Sequence, residues 1–357
     1  MKKTLVLVLN SGSTSMKIAL YCETEEIFSV TENYDHRVLD QCGSINGQFD
    51  LRMKCVRKEM EKHGYAMSDL SVIVSRGGST KPLSHGGAYT INEKMAHDLR
   101  ECPASSHAGN LGPMIAWELS HENGVPAYIY DSVAVDELQP VARISGLPDI
   151  SRVSLVHVLN SRYAARKVAG EQGTDYEKST YIVAHIGGGI TITLHHNGRI
   201  IDVVGDDEGP FSPDRGGGIP TRQLVDLCYS GKYPTREDMQ RAMRTQGGLT
   251  AYLQTSDARK VEERIAQGDE KAKLVYDAML YQIAKGIAQL AAPVCGKVDG
   301  VILTGGIAHS AYAVEEIKRQ VSFLSAVHII PGEHEMQSLC QGALAVFHGE
   351  EIPHVYE

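Results

Sequence analysis

The sequence predicts an α/β protein built from two related halves, and three observations carry that prediction. Apolar runs at residues 4–9 (TLVLVL) and 16–21 (MKIALY) flank a turn of small residues, Asn10-Ser11-Gly12-Ser13-Thr14-Ser15, the pattern of a β-hairpin. The arrangement recurs downstream, where 181–186 (YIVAHI) enters Gly187-Gly188-Gly189, 190–195 (ITITLH) follows, and Asn197-Gly198 leads into 199–204 (RIIDVV). Asn-Gly between alternating apolar runs is a strong hairpin signal. A third run, 300–303 (GVIL), enters Thr304-Gly305-Gly306 and then a helical stretch at 308–321.

The remaining elements follow in order. Residues 71–74 and 127–130 read as strands, and helical periodicity is clear at 110–122, 161–169 and 270–292. In the last, Leu274, Ala278, Tyr281, Lys285, Ala288 and Ala292 fall on one stripe, which is expected to pack closely under a sheet. Strands alternating with helices give an α/β architecture. At 357 residues the chain exceeds the roughly 250–300 residues that one core supports, so two domains are expected. The boundary is set near residue 150, where Gly146-Leu147-Pro148-Asp149 reads as a turn before a strand at 153–157.

Composition narrows the partners. With 35 basic and 44 acidic residues the net charge is −9, and without a basic run nucleic acid is not expected to bind. The apolar run at 5–9 is shorter than the core of a secretion signal, and no stretch approaches the ~20 apolar residues of a membrane span. Seven scattered cysteines without a Cys-x-x-Cys pair read as reduced thiols. A soluble cytoplasmic protein is expected.

Glycine is abundant, 35 residues against roughly 7% in ordinary chains, and it concentrates in turns after strands. Alone, the turn 10–15 reads as a solvated hairpin tip. With Gly187-Gly188-Gly189 and Thr304-Gly305-Gly306 it makes three small-residue turns that could let backbone approach phosphates, with Lys17 as a nearby cation. Arg76 and Arg215 stand among glycines (SRGG, PDRGGG), where a guanidinium can meet an oxyanion in bidentate fashion. Asp131 ends a strand, where active-site groups of α/β sheets collect. His107 precedes one helix. His157 ends the 153–157 strand ahead of Asn160, read as a helix cap. Glu333 and Glu335 follow a C-terminal strand, where a carboxylate could hold Mg²⁺ directly or through water.

At NSGSTSMK (10–17), HIGGGITIT (185–193) and LTGGIAHS (303–310) the chain resembles the acetate/sugar kinase–Hsc70–actin superfamily. At 75–89, 105–112, 130–137 and 208–220 it resembles the carboxylate kinases, with the EGPFSP stretch and Gly188 closest to butyrate kinases. The resemblance spans residues 4 to about 347. It implies a two-domain, duplicated ribonuclease H-like α/β fold with an interdomain cleft. Residues 1–150 plus about 337–357 would carry the carboxylate site, and 151–336 the adenosine site. It also implies ATP/ADP and Mg²⁺ as cofactors, a short-chain carboxylate, most closely butanoate, as acceptor, and a homo-oligomer. Residue by residue, it assigns Asn10, Ser13 and Lys17 to a first phosphate segment. His185, Gly187, Gly188 and Gly189 fall in a second, and Thr304, Gly305 and Gly306 contact adenosine. Arg76 would bind the carboxylate and Arg215 the transferring phosphoryl group. His107, Asp131 and His157 would be catalytic, and Glu335 with Asn10 would be linked to Mg²⁺, Glu333 being the alternative register.

The chemistry is coherent. A carboxylate is already a nucleophile at pH 7, and the difficulty is bringing two anions together, which positive charge and positioning address. Two rivals share the phosphate turns: an Hsc70- or actin-like ATPase, which needs neither Arg76 nor Arg215, and a sugar kinase, for which Asp131 could be the base.

Overall fold

The structure is a computed structural model that describes residues 3–357. The chain opens with β1 (Leu5–Ser11), β2 (Ser15–Cys22) and β3 (Glu25–Asn33), then α1 (His36–Gln41), α2 (Phe49–Lys62), β4 (Val72–Arg76) and β5 (Ala88–Thr90). It continues through α3 (Glu93–Glu101), α4 (Leu111–Asn123), β6 (Ala127–Tyr130) and α5 (Val158–Gln172). β7 (Thr180–Ile186), β8 (Ile190–His196) and β9 (Arg199–Val204) precede α6 (Thr221–Tyr229), α7 (Arg236–Arg244), α8 (Gly248–Leu253), α9 (Ala258–Ala266) and α10 (Glu270–Gln289). β10 (Gly300–Gly305), α11 (Ala311–Val321), β11 (Val327–Pro331), α12 (Glu335–Phe347) and β12 (His354–Val355) complete it.

Two units result. The first runs through Asp136 and regains the chain at His334–Glu357, and the second is Glu137–Glu333. The division therefore falls at Asp136/Glu137 rather than near 150, and the 146–149 turn belongs to the second unit. The anticipated strand at 153–157 is irregular coil with a bend at Val156, and Val153 and Leu155 are exposed. Among the described residues no strand pairs with it.

In the first unit a seven-stranded sheet has the order β12-β5-β6-β4-β1-β2-β3. Val6, Leu7, Val8 and Leu9 of β1 have no solvent exposure, because a strand central to a covered sheet is buried on both faces. Helices α4 and α12 pack on β1, β4 and β6. In the second unit the order is β11-β10-β7-β8-β9. Alternation along β7 divides its side chains between two cores. Ile182, Ala184 and Ile186 join α10 and α11, while Tyr181 and Val183 join Tyr163, Ala164 and Val168 of α5.

The strand series β3-β2-β1-β4-β6 of the first unit is repeated as β9-β8-β7-β10-β11 in the second. Both open with an antiparallel hairpin and extend through parallel neighbours. The two related halves expected from the sequence are present as one topology used twice.

Helix α10 corrects one expectation. Leu274 and Tyr281 are 72% and 55% exposed, and the buried face is Val275, Tyr276, Met279, Leu280, Ile283 and Ile287. Apolar residues lie on both sides of this helix, so periodicity picks out two stripes and burial selects the bulkier one. Lys285 lies over the outward Tyr281 ring, 5.5 Å from its centroid.

Behind β8 lies a buried polar group. Thr193 Oγ1 donates to Val183 O at 3.3 Å and lies 2.9 Å from His195 Nε2, while Tyr176 OH lies 2.9 Å from His195 Nδ1. These bonds suit a neutral ring, and burial, then the charges of Arg162 and Arg166, holds its pKa well below 6.5. In the unfolded chain the ring titrates normally, so as pH falls below about 6.5 the unfolded state takes up a proton that the folded state refuses. Stability is therefore full above that pH and is lost on acidification, by up to about 1.4 kcal/mol per pH unit. Urea unfolding between pH 7.5 and 5 is expected to show this slope, and His195→Gln to flatten it. An unchanged slope in the variant would locate the acid sensitivity elsewhere.

No helix among the described residues is long and apolar enough to cross a membrane, and all seven cysteines are free thiols.

Candidate active site

In the first unit the β1–β2 register sets Asn10 directly opposite Lys17, which brings both side chains to one face of the sheet. Asn10 is buried and donates from Nδ2 to Glu335 Oε2 at 2.7 Å. The other oxygen of Glu335, Oε1, meets Arg76 Nη1 at 3.1 Å. Arg76 ends β4 and Glu335 begins α12, so a strand end and a helix start meet at one carboxylate. Ser13 is exposed at the hairpin tip.

His107 is the cap of a short 3-10 turn, and its Nδ1 accepts the Gly109 N–H at 2.9 Å. This puts the proton of the neutral ring on Nε2. Partial desolvation, and then the charges of Arg76 and Arg52, hold its pKa below the ordinary 6.5. Asp131 follows β6 with φ of +41° and almost no exposure. Its Oδ1 accepts from Gly87 N at 2.8 Å and its own N–H donates to Gly87 O at 3.0 Å. A non-glycine residue in this backbone region is strained, and such strain collects at functional sites.

In the second unit the Gly187-Gly188-Gly189 turn joins β7 to β8, and Ser212 Oγ holds it by donating to Gly188 O at 2.6 Å. The Arg215 guanidinium lies over Gly189, where an added Cβ would stand 2.8 Å from Nη1, so a side chain at this position would displace the guanidinium. Arg215 is ion-paired through Nη1 with Asp206, which is buried, and Arg244 approaches the same carboxylate at 3.6 Å. Gly305 has φ of +89°, and a Cβ there would lie 2.6 Å from Ile186 O, so β10 can end against β7 only with glycine.

His157 and His185 stack with centroids 3.8 Å apart and planes inclined by 7°. The Thr191 hydroxyl accepts the His157 backbone N–H at 3.4 Å and meets Nδ1 at 2.9 Å. Asn160, expected as a cap, is instead buried within α5, because the helix begins at Val158. Its Nδ2 lies 3.0 Å from His185 Nδ1 and donates to Thr304 Oγ1 at 3.0 Å. Glu333 Oε1 lies 3.8 Å from His185 Nε2. The two glutamates near the C-terminus thus have different neighbours, Glu333 beside a histidine of the second unit and Glu335 beside Asn10 and Arg76 of the first.

A cavity of about 810 Å³ in the second unit is lined by Gly187, Gly188 and Gly306 of the turns, with Asp257, Arg259, Glu262 and Ser310. Its size suits a small-molecule ligand. A Cβ at Gly188 or Gly306 would meet nothing within 4 Å, so both positions border open space. Thr304, by contrast, is fully buried and tied to Asn160, and neither it nor Gly305 lines the cavity. Glu208 is engaged by Arg152 at 2.7 Å. Asp206, Ser212, Asp257 and Arg259 escape the sequence reading, and Asn160 is read there only as a cap; the Asp206-Asp207 pair before EGPFSP is the one available signal for Asp206.

Among the described residues no three His, Cys, Asp or Glu side chains gather as a metal cage. A single carboxylate, Glu335, beside the Asn10 amide matches the habit of Mg²⁺, which relies on substrate phosphates and one or two protein carboxylates.

Residues 152–336, just over half of the chain, match the Acetokinase family. The acetate kinase of Porphyromonas gingivalis superposes with a TM-score of 0.77 at 19% identity, over 96% of this chain and 99% of that one. A propionate kinase from Francisella tularensis subsp. tularensis SCHU S4 gives 0.74 at 19% identity over 96% and 99%. A ROK family protein from Streptococcus pneumoniae TIGR4, solved with sucrose, gives 0.52 at 11% identity over 96% and 99%, so the duplicated fold extends to that group as well. With the family match covering the second hairpin, both stacked histidines, Arg215 and the cavity, the chain belongs to the acetokinase family of carboxylate phosphotransferases.

Proposed function

We propose that the protein transfers the γ-phosphoryl group of ATP, carried as its Mg²⁺ complex, to a short-chain carboxylate, with butanoate the preferred acceptor. The observation that carries this reading is a pair of carboxylate-anchored arginines: Arg76 on Glu335, and Arg215 on Asp206 with Asp214 3.8 Å from its Nε. Each guanidinium keeps donors to spare for an anion. Arg76 would bind the acceptor carboxylate, and Arg215 the equatorial oxygens of the phosphoryl group. The neutral ring of His107 would donate a hydrogen bond from Nε2 to an oxyanion, and His157 would contact the phosphoryl group in the transition state. Asp131, fixed by Gly87, would orient groups at the acceptor side. Asn10, Ser13 and Lys17 would contact phosphate, and the cavity beside Gly188 and Gly306 would take adenosine. Mg²⁺, with Glu335 and Asn10 as its protein contacts, would neutralise charge on the phosphates. The butanoate preference is supported by the EGPFSP stretch and Gly188; acetate and propionate, the substrates named for the two similar kinases, are the alternatives. A cytoplasmic homo-oligomer is part of the proposal.

Incubation with MgATP, butanoate and hydroxylamine is expected to yield the hydroxamate, since acyl phosphates are trapped and sugar phosphates are not. A kcat/KM series over C2–C6 acids is expected to peak at C4, with about 1–3 kcal/mol separating acids that differ by one methylene. A peak at C2 or C3 would replace butanoate. Absence of hydroxamate with every acid, with ATP consumed on a sugar, would remove the carboxylate reading.

A further inference from the structure

Arg52, on α2, is the largest side chain among the described residues with no solvent exposure. It donates from Nη1 to Ser15 O at 2.8 Å and from Nη2 to Ser13 O at 3.1 Å. Gln48 Oε1 accepts from its Nε and Nη2 at 3.2 and 3.0 Å, and the guanidinium carbon lies 4.9 Å from the Tyr34 ring centroid. Among the described residues no carboxylate pairs with it. A buried charge without a counter-charge is expensive to maintain, and this one is spent on the backbone of a single turn.

The turn is the tip of the β1–β2 hairpin. Arg52 takes the carbonyls of Ser13 and Ser15, Gly12 N also donates to Ser15 O at 2.8 Å, and Tyr34 N donates to Thr14 O at 2.8 Å. Three successive carbonyls are thus held. In a planar trans peptide the N–H points opposite to the preceding C=O. Holding Ser13 O therefore turns the Thr14 N–H the other way, and that amide has no partner among the described residues. Close by, Ser11 Oγ is buried without a hydrogen-bond partner. An outward amide and an orphaned hydroxyl beside Asn10 and Lys17 form a concavity that suits an anion.

We propose that Arg52 is the positioning residue of this turn: it pins the Ser13 and Ser15 carbonyls so that the Thr14 amide and the Ser13 hydroxyl meet the terminal phosphates of ATP. Its charge, placed behind the turn, favours the same anion. The inference rests on the nucleotide reading above and needs no particular acceptor.

The test is calorimetric titration of the full chain with MgATP and with AMP, which lacks the terminal phosphates. Arg52→Lys keeps the charge and loses the fork. It is expected to weaken MgATP on the order of tenfold, leaving AMP within about twofold of wild type. Gln48→Ala, which frees the guanidinium without removing it, is expected to act in the same direction and less strongly. A folded Arg52→Lys protein that binds both ligands as the wild type does, or loses both equally, would overturn the proposal. Should Arg52→Lys fail to fold, Gln48→Ala decides by the same ratio. Wild-type protein that binds MgATP and makes no hydroxamate would sink the carboxylate reading alone. Wild-type protein that binds MgATP no better than AMP would sink the positioning role as well.

Discussion

Arg215→Ala is expected to fold normally and to lose about 10²–10³ in kcat, the range seen when one charge-stabilising donor is removed from a transition state. The fold should tolerate the change because the loop is also held through its backbone: the Arg215 carbonyl accepts from Ser212 N at 3.0 Å, and Gly216 N donates to Met243 O at 2.7 Å. Its partner Asp206 keeps a cation, since Arg244 already stands 3.6 Å away. The loss should fall on kcat, because the charge Arg215 meets develops during transfer. Arg76→Ala should instead also raise the carboxylate KM, the acceptor being charged before it reacts. Lysine should rescue either position only in part, lacking the planar fork. Steady-state kinetics by the hydroxamate assay, with circular dichroism on each variant, make the comparison. Wild-type turnover in Arg215→Ala would take that side chain out of the mechanism.

The largest effect on stability is expected at Glu137. Glu137 and Arg162 form an ion pair in which each side chain is 3% exposed. Glu137 also accepts the Ile200 N–H at 2.8 Å, and Arg162 donates to Gly198 O at 3.0 Å. The pair thereby fastens α5 to the β8–β9 hairpin. Glu137→Ala removes a buried carboxylate from beside the buried Arg162 guanidinium, a loss of about 3–5 kcal/mol. Glu137→Gln retains an acceptor for Ile200 and should lose less. Urea midpoints at constant slope measure both, and an alanine variant within about 1 kcal/mol of wild type would mean that water reaches the site.

What was legible beforehand follows from burial. β1, β7 and β10 are covered on both faces, so they appear in the sequence as unbroken apolar runs. The turn that follows β10 demands glycine at Gly305, where a backbone carbonyl stands close. Such demands leave a mark in one dimension. Arg52 leaves none: within LRMKCVRKEMEK it reads as one more charge on a solvated helix, and its partners are carbonyls 37 and 39 residues away in sequence. Asn160 and Asp206 are hidden for the same reason, since a polar side chain declares its burial only once its partners are in place. The face of α10 was misread because Leu274 and Tyr281 look like core.

The first unit is closed by the last residues of the chain, with α12 packed on β1, β4 and β6 and β12 on the sheet edge. The second unit is continuous. On a ribosome, where domains ordinarily fold in the order of their synthesis, this protein is expected to reverse the sequence. Residues 137–333 can complete a core while the opening strands, made first, still wait for helix α12. During that interval β1, β4 and β6 expose strongly apolar surface of the kind that chaperones bind, so nascent chains stalled before residue 334 should be held by chaperones and those with residues 334–357 clear of the ribosome should not.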